Sequence, residues 1–152
     1  MLHDAATMQA NHDRFIARVT ETEVVWGLAS GTGFAVCPSN EDAERTVLMF
    51  WSDRGYATRV KQAAFPEYQP AEIALFDFLF RWLSGMAQDR VLAGTNFNGD
   101  LAGLEIEPAA LKDQLIDAIG PARALAYADR LRAELERQGR GGGGGGGGAT
   151  ST

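Results

Sequence analysis

One cysteine, Cys37, excludes an intrachain disulfide and leaves no thiolate cluster for zinc. The only histidines are His3 and His12, so any Ser-His-Asp or Cys-His arrangement would have to use one of them. Lysine occurs twice, at Lys61 and Lys112, and the net charge is −6. An acidic chain is poorly suited to displacing counterions from nucleic acid or to holding an anionic membrane surface, so neither is an expected partner. No apolar run approaches ~18 residues, the length a spanning helix needs. The N-terminus, M-L-H-D-A-A-T, lacks the basic start and apolar stretch of a secretory signal, and a cytoplasmic location is expected. No H-E-x-x-H, phosphate-cradling glycine loop or Asp-rich calcium loop occurs, and no cofactor is expected.

What is present is a soluble-type composition of 152 residues. Eight consecutive glycines follow Arg140. Glycine loses the most backbone freedom on ordering and buries no side chain, so residues 139–152 are expected to be a disordered tail. Residues 1–138 suffice for a single α+β domain with one sizeable core.

The stretch from Glu72 to Gln88 is the centre of that expectation. Wound at about 100° per residue, it aligns Leu75, Leu79, Trp82, Leu83 and Met86. Phe76, Phe78 and Phe80 widen the apolar arc to roughly 200°. Asp77, Arg81, Ser84 and Gln88 occupy the remaining strip, with Asp77 and Arg81 spaced for a helical ion pair. Such a helix must lie between a sheet and another body.

Around it, Ala5 to Thr20 reads as an amphipathic helix, capped by Asp4 or Thr7, with Met8, His12, Phe15 and Val19 inward. Glu23 to Leu28 and Gly33 to Cys37 read as a hairpin across Ala29–Gly33. The continuous apolar run Thr46 to Trp51 reads as a strand buried on both faces, at or near the sheet centre. A helix capped by Ser52, with Asp53 in its first turn, runs to about Ala64. Tyr68 to Ala74 is extended, and Pro70 confines it to an edge or a strand start. Arg90–Phe97 and Leu101–Glu107 form a second hairpin, with Asn-Gly tolerating positive φ in its turn. Helices follow from Pro108, with Leu111, Leu115, Ala118 and Ile119 inward, and from about Ala122 to Arg137. Gly120 is the left-handed break between them. The expected architecture is mixed α/β or α+β: a single sheet of about five to six strands, largely antiparallel with two hairpins, and helices packed against it.

Chemistry is sparse. His12 on an apolar face is a ligand or base candidate, with a half-buried core histidine as the plainer reading. Cys37 near His12 would be a nucleophile pair, but a lone strand cysteine more often packs as a small hydrophobe. Glu21 with Glu23, and Glu105 with Glu107, share strand faces and offer cation or acid–base pairs, set against simple solvation. The most site-like constellation joins Trp51, Asp53, Arg54 and Tyr56 to Asn96 and Asn98. If those chain ends are neighbours, they form a polar pocket with aromatic walls, as at strand ends of α/β sheets. The plainer reading makes these residues caps, turn formers and packing groups. No catalytic residue and no metal ligand is assigned. For protein association, the candidate anchors are Phe76 and Phe80 at the arc edge, with Leu131 and Leu135 on the last helix.

Several phrases carry a resemblance: E-V-V-W-G-L at 23–28, F-W-S-D-R-G-Y-A at 50–57, F-L-F-R-W-L-S-G-M at 78–86, G-T-N-F-N at 94–98 and G-L-E-I-E-P at 103–108. Together they resemble a bacterial domain-of-unknown-function family, number twenty-seven-fifty, over about residues 12–119. Ser84 and Phe97 stand where such relatives are expected to have proline and tryptophan, which implies altered packing. The resemblance implies the fold and brings no catalytic residues. The functional expectation is a non-catalytic protein-interaction or regulatory module, adaptor or immunity-like, with a protein partner or a second copy. The alternative is a small-ligand binder or enzyme using residues 51–56 and 95–98.

Overall fold

The computed structural model describes the backbone of residues 4–145 and the side chains of residues 4–139. His3 therefore lies outside the described residues. Helix α1 spans Ala5–Thr22, and the Asp4 carboxylate accepts from the Thr7 amide at 2.7 Å. That bond holds the Asp4 carboxyl below its usual range. The helix buries His12, Phe15, Val19 and Thr20 and ends at Glu23 in the left-handed region.

Strands β1 (Val24–Ser30), β2 (Gly33–Phe34), β3 (Val36–Pro38) and β4 (Thr46–Phe50) follow, then α2 (Arg54–Ala64) and β5 (Gln69–Ala74). The expected single sheet is in fact two, ordered β2-β1-β5 and β3-β4-β6-β7, where β6 is Leu92–Thr95 and β7 is Leu104–Ile106. The physical reason lies at Ala35. The returning arm of the first hairpin, which reads as one strand, changes sheets there. Ala35 donates to the Leu28 carbonyl on one side, and its own carbonyl accepts from Met49 on the other. A second stitch is a reciprocal bridge: Trp26 N donates to Trp51 O at 2.9 Å, and Trp51 N to Trp26 O at 2.7 Å. Strands that switch sheets in this way make a corner. Gly27 permits the close approach, because a Cβ there would stand 2.9 Å from the Phe34 ring.

β4 lies inside the second sheet, antiparallel to β3 and parallel to β6, so its long apolar run is covered by strands on both edges. β5 is an edge strand, as Pro70 requires. The β6–β7 pair is antiparallel, but its loop is not the Asn-Gly turn the sequence suggests. Positive φ falls on Asn96 and Leu101 instead of the Asn98–Gly99 pair. The Asn98 side chain shapes the turn by accepting from the amides of Asp100 and Ala102.

The central helix starts at Leu75, directly after β5, in keeping with the extended reading of Tyr68 to Ala74. It runs as α3 (Leu75–Asp77), a π segment (Phe78–Trp82) and α4 (Leu83–Asp89). The wider π turn changes the phase of the face. Leu75, Phe76, Phe78, Leu79, Leu83 and Met86 are buried, and Trp82 is half-buried. Trp82 meets Phe34 edge-on at 4.7 Å, and Phe50 meets Phe78 at 4.7 Å. Asp77 and Arg81 form the expected ion pair.

Helix α5 (Pro108–Ile119) buries Leu111, Leu115 and Ile119, while Ala118 is exposed. Gly120 takes φ 87°. Helix α6 then spans Pro121–Gly145. It is therefore helical through part of the segment expected as coil from residue 139; residues 146–152 lie outside the described residues. The chain divides into two compact units, one to Ala118 and one from Ile119. The described side chains of α6 include none that is fully buried.

Candidate functional site

The parallel pairing of β4 and β6, with Phe50 opposite Thr95, places the carboxyl ends of both strands side by side. Trp51–Ser52–Asp53 and Asn96–Phe97–Asn98 leave from there, and the condition set by the sequence, that these ends be neighbours, is met. What they build is a sealed knot. Asn96 sits at φ 50° and is fully buried. Its amide oxygen accepts from Ser52 N at 2.9 Å, and its Nδ2 donates to Asn11 O at 3.1 Å and Ser52 Oγ at 3.2 Å. The Asn96 carbonyl accepts from the Tyr56 hydroxyl at 2.9 Å, and Trp51 Nε1 donates to Phe97 O at 2.9 Å. Burial raises the Tyr56 pKa, against the opposing pull of Arg14 and Arg59. Phe97 fills the space beneath: a Cβ on Gly103 or Gly94 would stand 2.3 or 2.6 Å from its ring. At the other position that departs from the resemblance, Ser84 is exposed.

One strand residue earlier, Thr95 meets His12. The Thr95 hydroxyl lies 2.8 Å from His12 Nδ1, and Gln114 Oε1 lies 2.7 Å from Nε2. A carboxamide oxygen only accepts, so Nε2 donates to Gln114, while the threonine hydroxyl pairs with Nδ1. The histidine is buried and joins α1, β6 and α5. Its apolar-face position was legible in the sequence, but its partners, 83 and 102 positions away, were not.

Asp53 caps α2, since its Oδ1 accepts from Tyr56 N at 2.9 Å. Ser52, the expected cap, is instead buried and donates to Asp53 Oδ2 at 3.3 Å. Arg54 turns outward, with its guanidinium 5.7 Å from the Trp26 ring centroid. An open cleft of about 270 Å³ lies there, lined by Arg18, Trp26, Asp53, Arg54 and Glu72 among others. The six candidate residues thus divide. Trp51, Tyr56 and Asn96 belong to the knot and Asn98 shapes the adjoining loop, while Asp53 and Arg54 belong to the cleft. Sequence reasoning did not include Trp26, Arg18 or Glu72; the pairing that brings Glu72 beside Trp26 is long-range.

Cys37 is buried, with its thiol against Met49 Sδ at 3.8 Å. Burial and then the Glu105 charge push its pKa up, so it is kept as the thiol. The two carboxylates on β7 and beyond it are occupied. Glu105 accepts from the Ser39 hydroxyl and the Asn40 amide. Glu107 takes both Arg45 guanidinium nitrogens, at 2.6 and 3.1 Å, which lowers its pKa. Of the association candidates, Phe76 is buried and Phe80 half-buried, with the Phe76 ring and Lys112 Nζ beside it. Leu131 is half-buried and Leu135 is exposed. Among the described residues no buried side-chain N or O lacks a hydrogen-bond partner, and no three His, Cys, Asp or Glu side chains gather to hold a metal ion. No described helix is long and apolar enough to cross a membrane.

These features define a class: an α+β domain with two cornered sheets, its polar interior committed to internal hydrogen bonds. The chain belongs to DUF2750, a family of proteins of unknown function, whose profile matches residues 12–115. The match opens on His12 and closes just past Gln114, so both histidine partners fall inside it, while α6 falls outside. The chain matches no curated protein and no solved structure.

Proposed function

We propose that this chain is a non-catalytic protein-association module, adaptor-like or regulatory, that works by pairing with a second copy of itself. The observation that carries the reading is on α6: Leu125 and Leu135 are 62% and 57% exposed. Ala124, Ala128, Leu131 and Leu135 repeat at four-three-four spacing, the seam pattern of paired helices. The charges nearby are satisfied within the helix, as in Arg130–Glu134 and Arg132–Asp129, so pairing need not bury an isolated charge. Sedimentation of the full chain tests this. A concentration-dependent dimer that Leu135→Glu dissociates, with the unfolding midpoint preserved, is the expected result. A strict monomer into the sub-millimolar range overturns it.

A second reading, small-ligand binding, is favoured by the Trp26–Arg54 cleft. Asp53 and Arg54 of the predicted constellation line it, together with an aromatic wall the sequence reading did not include.

A further inference from the structure

Resting on that second reading, we propose that the cleft is a site for a small zwitterion, an apolar α-amino acid, with Glu72 receiving the ammonium group and Arg54 the carboxylate across the Trp26 indole.

β1 and β5 pair antiparallel, with Trp26 directly opposite Glu72, so the two side chains stand next to each other on one face. Arg54, in the first turn of α2, approaches the same indole. Both charged groups line one cleft, yet they form no ion pair with each other. Among the described residues neither side chain has a hydrogen bond or an ion pair with any other group, and Arg54 meets only the Trp26 ring. The remaining charges around the cleft are engaged. Asp53 holds Tyr56 N and the Ser52 hydroxyl, and Arg18 holds Glu21 at 3.1 Å. The cleft therefore presents one cation held only over the indole and one anion with no partner, on residues that flank Trp26.

That pattern selects its ligand by charge. A simple anion would satisfy Arg54 but face Glu72, and a simple cation would meet the reverse. A molecule carrying both charges on a short frame satisfies both, forming charge-assisted hydrogen bonds that can be bidentate at the guanidinium. The indole supplies an apolar wall for the carbon body and holds the Arg54 guanidinium over its ring. About 270 Å³ is below the roughly 300–1,000 Å³ of sites for drug-sized ligands. It suits an amino acid.

The test is an ¹H–¹⁵N titration of the full chain with L-leucine and L-phenylalanine, alongside N-acetyl-L-leucine, which lacks the ammonium, and L-leucinamide, which lacks the carboxylate. The free amino acids should shift the Trp26 indole and the Arg54 and Glu72 amides saturably. Each blocked analogue, and each of Arg54→Met and Glu72→Gln, should weaken binding roughly tenfold or more, the loss of one charge-assisted bond. The Trp51 indole and Asn96 signals should stay in place in both variants, which reports an intact fold. Equal binding by the blocked analogues would overturn the zwitterion assignment and leave small-ligand binding at the cleft standing. So would a fragment mixture that shifts Trp26 when neither amino acid does. No shift at Trp26, Arg54 or Glu72 with either amino acid or the fragments would overturn both.

Discussion

Replacing Asn96 tests the claim that the junction of β4 and β6 is a structural knot. Asn96→Ala removes the acceptor of the Ser52 amide and the donor to Asn11 O and Ser52 Oγ. Ser52 is buried, so its orphaned N–H alone should cost about 1–3 kcal/mol. The lost bonds to Asn11 O and Ser52 Oγ add about 0.5–1.5 kcal/mol each. The backbone at φ 50° adds about 1 kcal/mol, because asparagine tolerates the left-handed region better than alanine does. The total is roughly 3–7 kcal/mol, a large part of the about 5–15 kcal/mol that stabilises a domain. Asn96→Gly loses the same side-chain bonds but relieves the backbone, and should recover about 1 kcal/mol. Urea unfolding followed by tryptophan fluorescence measures both, with an unchanged slope showing that the unfolded state is the same. A loss below about 1 kcal/mol for Asn96→Ala would refute the reasoning, since one orphaned buried amide should exceed it. A glycine variant no better than alanine would show that the left-handed backbone contributes nothing.

Gly103→Ala should cost at least about 1–3 kcal/mol by overpacking against Phe97 and be partly rescued by Phe97→Leu, a coupling that a double-mutant unfolding cycle measures. Leu79→Ala should cost roughly 2–5 kcal/mol in the same assay, because the side chain is fully buried. Cys37 should resist a thiol reagent at mildly alkaline pH in the native protein and react at once in denaturant, since burial keeps it protonated and covered. Glu107 has a folded pKa below its unfolded value because Arg45 hydrogen-bonds it, so its contribution is present above the ordinary carboxylate range and is lost as pH falls through the folded pKa. Glu107→Gln should lower the neutral plateau slightly while leaving the low-pH end in place, so that the acid limb flattens, and a chemical-denaturation series against pH reads this directly.

How much of this was legible in the chain varies with the range of the interaction. The seam of the central helix could be read because periodicity is local: Leu75, Leu79, Leu83 and Met86 recur at helical spacing and are buried. The π segment was not legible in the local period, and Trp82 within it packs on Phe34 and Phe50 from distant strands. Pro70 marked an edge strand, since a missing amide is a property of the residue itself. The corner at Ala35 left no local mark; a strand that changes partners looks like a strand that keeps them.

The candidate site divides along the same line. Trp51, Asp53, Arg54, Tyr56, Asn96 and Asn98 stood out as polar and aromatic residues at strand ends, and the parallel pairing of β4 with β6 does bring those ends together. Which of them face inward was settled by hydrogen bonds spanning forty or more positions, such as Ser52 to Asn96 and Tyr56 to Asn96. Glu72 beside Trp26 is likewise a product of β1–β5 pairing.

The sequence by itself determined the elements, their order and the apolar faces, because backbone propensity, capping and hydrophobic period act over a few neighbouring residues. Only the tertiary structure decided that there are two sheets, that Asn96 and His12 are sealed by distant partners, and that Arg54 and Glu72 come to line one cleft beside Trp26. Those outcomes depend on which strands pair, and pairing is chosen by the packing of the whole core.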